Sequence, residues 1–380
     1  MPRVIVYKGT FAYDAVNIFI EELGEGFTAL GYEVDFVDIA DEARSKAQLQ
    51  EALSRPFVCI LSFGAIGVGT ISTAEYDQLP APFVAILVDH PSVHLPRFAM
   101  KNIIFTCYDR SHTEFLKRYF KGRKRVEFLP HGGSFGYGDA NGSGNRPINV
   151  LFPGTYADAD EAYTQLRTDC THDIFDIMDL VVERLLIADG EPIENVLSTV
   201  LTAEGKDDEW RRLCIFLPTV DWFVKAYKRM KVLKRLDDAG VAVNILGNGW
   251  PHDVFKYHKM MPALKYRQVL SLMRRSKIVL NMGFVPDGSH ERVFSAMLNG
   301  ALAASDNNVY LNELFLDGKE ILLFRSTEID QLPGRIADVL DDEAKLSECS
   351  IRASELAQAH TWSARAASIL DLITPAGHRK

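Results

Sequence analysis

His290, Glu291 and Arg292 stand in a row after a loop that contains Pro286 and Gly288. An imidazole, a carboxylate and a guanidinium at one corner can move a proton, accept hydroxyl groups and hold an anion. Arg292 leads these candidates. A guanidinium grips a phosphate in a bidentate fork and steadies negative charge that develops in a transition state. The plain alternative is a surface pairing of Arg292 with Asp287 or Glu291. Asn281 ends the apolar run ahead of this corner, where a buried amide needs a partner. It either faces a ligand or caps the loop. Two glycine turns add backbone N–H groups that a phosphate can approach closely, Pro153-Gly154-Thr155 and Gly247-Asn248-Gly249-Trp250. The second falls short of a dinucleotide fingerprint, because no third glycine opens a helix. Tyr266 either stacks on a base or fills a core.

A second set of candidates lies in the first half of the chain. Asp89-His90-Pro91 puts a carboxylate and an imidazole at one strand end, a pairing suited to proton transfer. His131, Gly9, Thr10 and Asp14 also fall at strand ends. No metal site is expected. His90 and His94 are four apart, and His252 and His258 six apart, but proline interrupts the helix that a metal pair would need. Asp158-Ala-Asp160 lies outside the strand-end context in which an Asp-x-Asp pair holds a metal. Two basic clusters, Lys117-Arg118 to Arg125 and Lys225 to Arg235, the latter just after Trp222-Phe223, read as solvated helix faces. They also leave room for an acidic acceptor or peripheral contact with an anionic membrane.

The elements that must position these residues alternate between strand and helix. Strands are expected at 4–7, 33–39, 57–62, 83–88, 102–107 and 125–129, with helices at 11–30, 41–53 and 111–120. Residues 132–145, with six glycines, read as a flexible linker. A second domain opens with a strand at 148–152 and carries a mainly helical insertion at about 158–238. Strands at 241–246, 278–281, 301–304 and 320–324 follow, with helices at 266–275, 293–298, 329–340, 343–357 and 361–372. Such alternation predicts βαβ units and parallel sheets, with ligands at the carboxyl ends of the strands. The fold class is α/β, with domains at 1–145 and 146–373. The last helix, carrying Trp362, is expected to pack back near the junction.

The totals narrow the function. A chain of 380 residues suits two α/β domains. A net charge of −9 argues against general nucleic-acid binding. Five scattered cysteines fit reduced thiols better than a disulfide framework, and no signal-peptide or membrane-span hydrophobicity is present. The expected location is the cytoplasm.

Arg292-Val293-Phe294, running through a helix to Asn299-Gly300, resembles the nucleotide-sugar half of GT-B glycosyltransferases. The likeness is to the group related to the spore-maturation protein CgeB, which also carries a Gly-x-Gly-Trp string like residues 247–250. It covers residues 148–373 best. The pattern usually has glutamate after the phenylalanine, at the ribose-binding place, and here that residue is Ser295. A serine cannot offer a carboxylate to two hydroxyls, so Glu291 or Asp287 would take that part.

The resemblance implies two Rossmann-like domains facing a cleft, the second carrying the helical insertion. It implies transfer of a sugar from a nucleotide-sugar co-substrate to a hydroxyl on a glycan, protein or small molecule. Transfer would be retaining and metal-independent, with no further cofactor. Gly154, Thr155, Gly247, Asn248, Gly249, Tyr266, Asn281, Ser295, Asp306 and Asn307 would line the donor site. Arg292, Glu291, His290, Asp89 and His90 would serve the chemistry, and Gly9, Thr10, Asp14 and His131 the acceptor side. A nucleotide-sugar epimerase, or a non-catalytic partner protein of the same architecture, is the rival reading.

Overall fold

A computed structural model describes residues 1–136, 146–251 and 253–374. The expected linker is therefore seen only as far as residue 136, and the rest of it, with His252, lies outside the described residues. The chain forms two compact units, Met1–Ser134 with the segment from Ala359 onward, and Phe135–Gln358. The tail from 359 thus counts with the first unit rather than the second.

The first unit is built from β1 (Arg3–Lys8), α1 (Ala15–Ala29), β2 (Glu33–Asp38), α2 (Glu42–Leu53), β3 (Cys59–Phe63), α3 (Thr73–Gln78), β4 (Phe83–Leu87), β5 (Ile103–Cys107), α4 (Arg110–Tyr119) and β6 (Arg125–Phe128). Its sheet is parallel throughout, in the order β2-β1-β3-β4-β5-β6. The strands β3, β4 and β5 are buried at every residue, as expected where helices cover both faces. The short α3 escaped the sequence reading because only Tyr76 of its six residues is buried. A Ser72–Glu75 capping box starts it.

The second unit runs β7 (Ile148–Pro153), α5 (Ala159–Asp169), α6 (His172–Ile187), α7 (Ile193–Ala203), α8 (Trp210–Leu213), α9 (Leu217–Asp238), β8 (Asn244–Leu246), β9 (Lys259–Met261), α10 (Tyr266–Arg274), β10 (Ser276–Asn281), α11 (Glu291–Leu298), β11 (Leu302–Asp306), α12 (Val309–Leu314), β12 (Leu322–Phe324), α13 (Leu332–Asp341) and α14 (Glu343–Ala357). Its sheet is again all parallel, in the order β12-β11-β10-β7-β8-β9. The helical insertion between β7 and β8 is as expected. Three differences are local. β8 starts at Asn244 rather than at 241, the edge strand β9 is new, and α12 is new. β9 has no fully buried residue, so it lacks the apolar run that marks a strand. Asn308 caps α12 by accepting the N–H of Leu311.

The last helix, α15 (Trp362–Ile373), lies along α1. A Cβ on Gly26 would come within 2.3 Å of the Ser363 carbonyl oxygen, so only glycine permits this approach. Trp362 is fully buried, stacked on Phe19 at 4.9 Å and edge-on to Phe63 at 5.3 Å.

Burial lowers the His94 and His360 imidazoles of this unit, His360 to about 4, with Arg365 assisting at His360. A lowered histidine pKa means that the folded chain prefers the neutral ring. Its stabilising effect is full above the unfolded value near 6.5 and is lost as pH falls through the folded value. The thermal midpoint of the first unit should therefore fall as pH drops from 7 toward 4. Scanning calorimetry of wild type and His360→Gln checks this, with a shallower decline expected for the variant.

Candidate functional site

The site forms where β7, β8, β10 and β11 end on one edge of the second sheet. The β10–α11 loop is held from below. Asp306, buried at the end of β11, accepts backbone N–H groups of Gly283 (2.9 Å), Phe284 and Val285 (3.3 Å). Burial raises its carboxyl above the ordinary carboxylate range, and those N–H groups pull it back. The loop needs such a clamp because Phe284 sits at a φ of 47°, a region that side chains resist. Asp306 is thus a buried support for this loop. Asn307 is half-buried, its amide oxygen accepting from the exposed Asn312 and its N–H donating to the Phe324 carbonyl at 2.8 Å.

His290 is the N-cap of α11, its Nδ1 accepting the Arg292 N–H at 3.2 Å. The same nitrogen lies 3.2 Å from a Glu291 carboxylate oxygen. Burial lowers the imidazole pKa, Glu291 raises it, and Arg292 lowers it again. The Arg292 guanidinium donates to Asn281 Oδ1 at 3.1 Å and lies 5.7 Å from the Phe152 ring centre. Asn281 in turn donates to Ser305 at 2.9 Å. Asn281 is buried, as expected, and its partners are Arg292 and Ser305.

A residue that the sequence reading left in a basic cluster joins them. Arg229 of α9 donates to the Met282 carbonyl at 2.9 Å. Burial, then the neighbouring Arg292, push its pKa down to about 10. Burial also lowers that of Arg292. Neither guanidinium forms an ion pair among the described residues. Two partly desolvated cations that repel each other are costly unless an anion joins them. Ser289 beside them is buried, and its hydroxyl has no hydrogen-bond partner among the described residues.

The two glycine turns are stitched together beside this cluster. Gly154 N donates to Leu246 O, Tyr156 N to Asn248 O, and Trp250 Nε1 to Gly154 O at 2.6 Å. A Cβ on Gly247 would lie 2.2 Å from the Gly154 oxygen, and one on Gly154 would meet the Phe152 ring. Gly247 is therefore required by the meeting of the two loops, and Gly154 by the ring of Phe152 in the strand just before it. Thr155, Asn248 and Gly249 remain exposed.

Ser295 and Tyr266 take a different place from the one expected. Both are buried, and their hydroxyls lie 2.9 Å apart. Tyr266 is a core residue under α11 rather than a stacking platform. On the buried face of α11 the two hydroxyls partner each other.

The basic run on α9 also reads differently in three dimensions. Lys228 is buried, donating to Ala188 O at 2.7 Å and to Asp189 at 3.0 Å. Asp189 also accepts from Ser326 and Thr327. A signal was present in the sequence, since Val220, Val224, Lys228 and Val232 repeat at the four-residue spacing of one buried stripe.

In the first unit the expected residues do not assemble into an acid–base pair. His90 is buried, with Nδ1 on Ser92 Oγ at 2.6 Å and its ring against His112 and Phe115. Asp89 is exposed, and its charge registers on His94. His131 stacks on Tyr108 at 4.6 Å, and its carbonyl accepts from Arg365. Its surroundings are those of a core histidine. Gly9 and Asp14 are joined through Asn17, while Thr10 is exposed. Tyr13 and Asp14 both adopt positive φ, 56° and 61°, so the turn after β1 is strained.

Residues 225–371 match a family described as glycosyl transferase-like. No curated protein matches the chain. Among solved structures, the chain is similar to sucrose-phosphate synthase from Thermosynechococcus elongatus, at 12% identity over 98% of each chain with a TM-score of 0.53. It is similar to an α-glucosyltransferase in complex with UDP-glucose and DNA containing an abasic site, at 11% identity over 98% of this chain and 99% of that one, TM-score 0.55. It is also similar to AviGT4, a glycosyltransferase involved in avilamycin A biosynthesis, at 11% identity over 98% and 97%, TM-score 0.54. At these identities the likeness is one of fold. Two six-stranded parallel sheets with flanking helices match the GT-B glycosyltransferase architecture.

Proposed function

We propose that the second unit binds a nucleotide sugar and that the protein transfers the sugar to a hydroxyl acceptor. The observation that carries this reading is the pair Arg229 and Arg292, two desolvated cations without an ion-pair partner among the described residues, beside the glycine turns of β7 and β8. A nucleoside diphosphate supplies the missing charge, and the glycosyl transferase-like family match and GT-B fold agree with it. Asn281 aims one guanidinium and Met282 O the other. With Ser295 committed to Tyr266, Glu291 or Asp287 serves the ribose hydroxyls.

Two fixed guanidinium groups are enough to balance a diphosphate, so the chemistry asks for no metal. The bond from the anomeric carbon to the diphosphate oxygen breaks, and the acceptor oxygen bonds to that carbon on the same face. The acceptor proton passes to the leaving phosphate oxygen. Configuration is thereby retained, and no dedicated base is required. Arg229 and Arg292 stabilise the charge as it builds on the leaving group. No described helix is long and apolar enough to cross a membrane. Five free cysteines suit a reducing compartment, and we place the protein in the cytoplasm.

The His290–Glu291 contact favours one second reading, a nucleotide-sugar epimerase, which needs an acid and a base beside the donor. Calorimetric titration with UDP-, GDP-, dTDP- and CMP-sugars tests both. One donor should bind, and turnover should require an added hydroxyl acceptor. Turnover to an epimerised sugar without acceptor would favour the epimerase. Failure of every donor to bind would overturn both readings and leave a non-catalytic partner protein.

A further inference from the structure

Helix α9 carries a second feature of the same site. β7 and β8 pair in parallel, so α9, the last helix of the connection between them, runs antiparallel to the strands. Its later turns, with Val232, Leu233 and Leu236, cover the sheet. Arg229 lies level with Met282, the first residue past β10. The part of α9 ahead of Arg229 therefore projects beyond the carboxyl edge of the sheet, the side on which ligands sit in such folds.

Trp222 is on that projecting part. Seven residues separate it from Arg229, which places both on one helix face, with Trp222 about 10 Å farther out. Its neighbours Phe223 and Val224 are buried, while Trp222 is 44% exposed and stacks on no other ring among the described residues. Asp221 connects the two positions. It pairs with Lys225 at 2.7 Å, and its charge reaches Arg229.

An exposed indole beside a basic run would suit an anionic surface if the run were free to act. Most of it is not. Lys225 is neutralised by Asp221, Lys228 is buried on Asp189, and Arg235 pairs with Asp330. What faces outward around Trp222 is a flat aromatic with a balanced ion pair. That is the surface for a neutral ligand with an apolar face and a hydroxyl edge. A pyranose ring has both. Its C–H face packs on an indole, and its hydroxyls can exchange hydrogen bonds with Asp221 and Lys225.

We propose that Trp222 is the stacking platform for the acceptor sugar of a glycan, two helical turns out from the Arg229 end of the donor site. The proposal rests on the reading of that site as a nucleotide-sugar site. It is tested on the full chain, saturated with whichever nucleotide it binds, by saturation-transfer NMR titration with maltose, cellobiose and N,N′-diacetylchitobiose. At least one disaccharide should bind, and Trp222→Ala should weaken it about tenfold or more, equivalent to ~1.4 kcal/mol. Trp222→Phe should keep most of the affinity, and neither change should move the nucleotide Kd by more than about twofold, within ~0.4 kcal/mol.

Three results would overturn the proposal. Disaccharide binding could be indifferent to Trp222→Ala. A chain that binds nucleotide could bind none of the disaccharides. Trp222 could instead be needed for capture by phosphatidylglycerol vesicles. In each of these the donor site stands. If no nucleotide binds either, the donor-site reading fails with it.

Discussion

Replacing Arg292 by alanine is expected to lower kcat/KM for sugar transfer by roughly 10²–10³, the scale of losing one aimed donor to a developing oxyanion. Donor affinity should fall at least about tenfold, or ~1.4 kcal/mol. The same change should leave the unliganded chain about as stable as wild type, within roughly 1 kcal/mol. That pairing of effects comes from the electrostatics. The guanidinium is desolvated, and it repels Arg229. Removing it costs the bond to Asn281 but relieves that repulsion. A residue retained for stability would show the reverse pattern, with a lowered midpoint and little change in donor binding. Arg292→Lys should recover only part of the loss, because an ammonium keeps the charge without the fork. Calorimetry with the bound donor, thermal denaturation without it, and steady-state kinetics separate the cases. Unchanged donor affinity in Arg292→Ala would remove this residue from the site.

Trp362→Ala is expected to cost about 3–5 kcal/mol, the range for deleting a fully buried large aromatic. The indole is buried completely against Phe19 and Phe63, with His131 at 5.8 Å. It also sits where the returning segment meets the first unit. Gly133 N donates to the His360 carbonyl, and the Trp362 N–H to Gly133 O, so losing the side chain loosens backbone contacts as well. Trp362→Phe should cost much less, since the indole N–H has no hydrogen-bond partner among the described residues and nothing polar is orphaned. Urea titration followed by circular dichroism measures both. The residues proposed to bind the donor belong to the second unit, so Trp362→Ala should still bind nucleotide below its unfolding transition. A midpoint equal to wild type would show that the tail is not part of the first unit's core.

Read along the chain, apolar runs and their spacing determined the two parallel sheets, the helical insertion and the corner at residues 290–292. These features depend on local periodicity, and burial of each strand between helices makes the periodicity strong. Arg292 and Asn281 were legible for the same reason, since each occupies a fixed place at the end of a strand or the start of a helix. What the chain order could not decide was which polar residues meet. Asp306 looks like a ligand contact until its oxygens are found on the backbone of the strained loop. Ser295 looks like a weakened ribose contact until Tyr266 appears beneath it, 29 positions away. Arg229 is 63 positions from Arg292, and no local pattern marks the two as neighbours.

The His90 and His131 candidates show the same limit from the other side, because strand ends in the first unit proved to be packing sites for their rings. The last helix was expected to pack back near the junction, but that it lies along α1 within the first unit was not legible in sequence. It depends on Gly26 admitting the Ser363 carbonyl across 337 positions. Composition and spacing specify elements because those follow from local backbone and burial rules. Partners of buried charges are set by tertiary packing, since only there does desolvation force each polar group to find one.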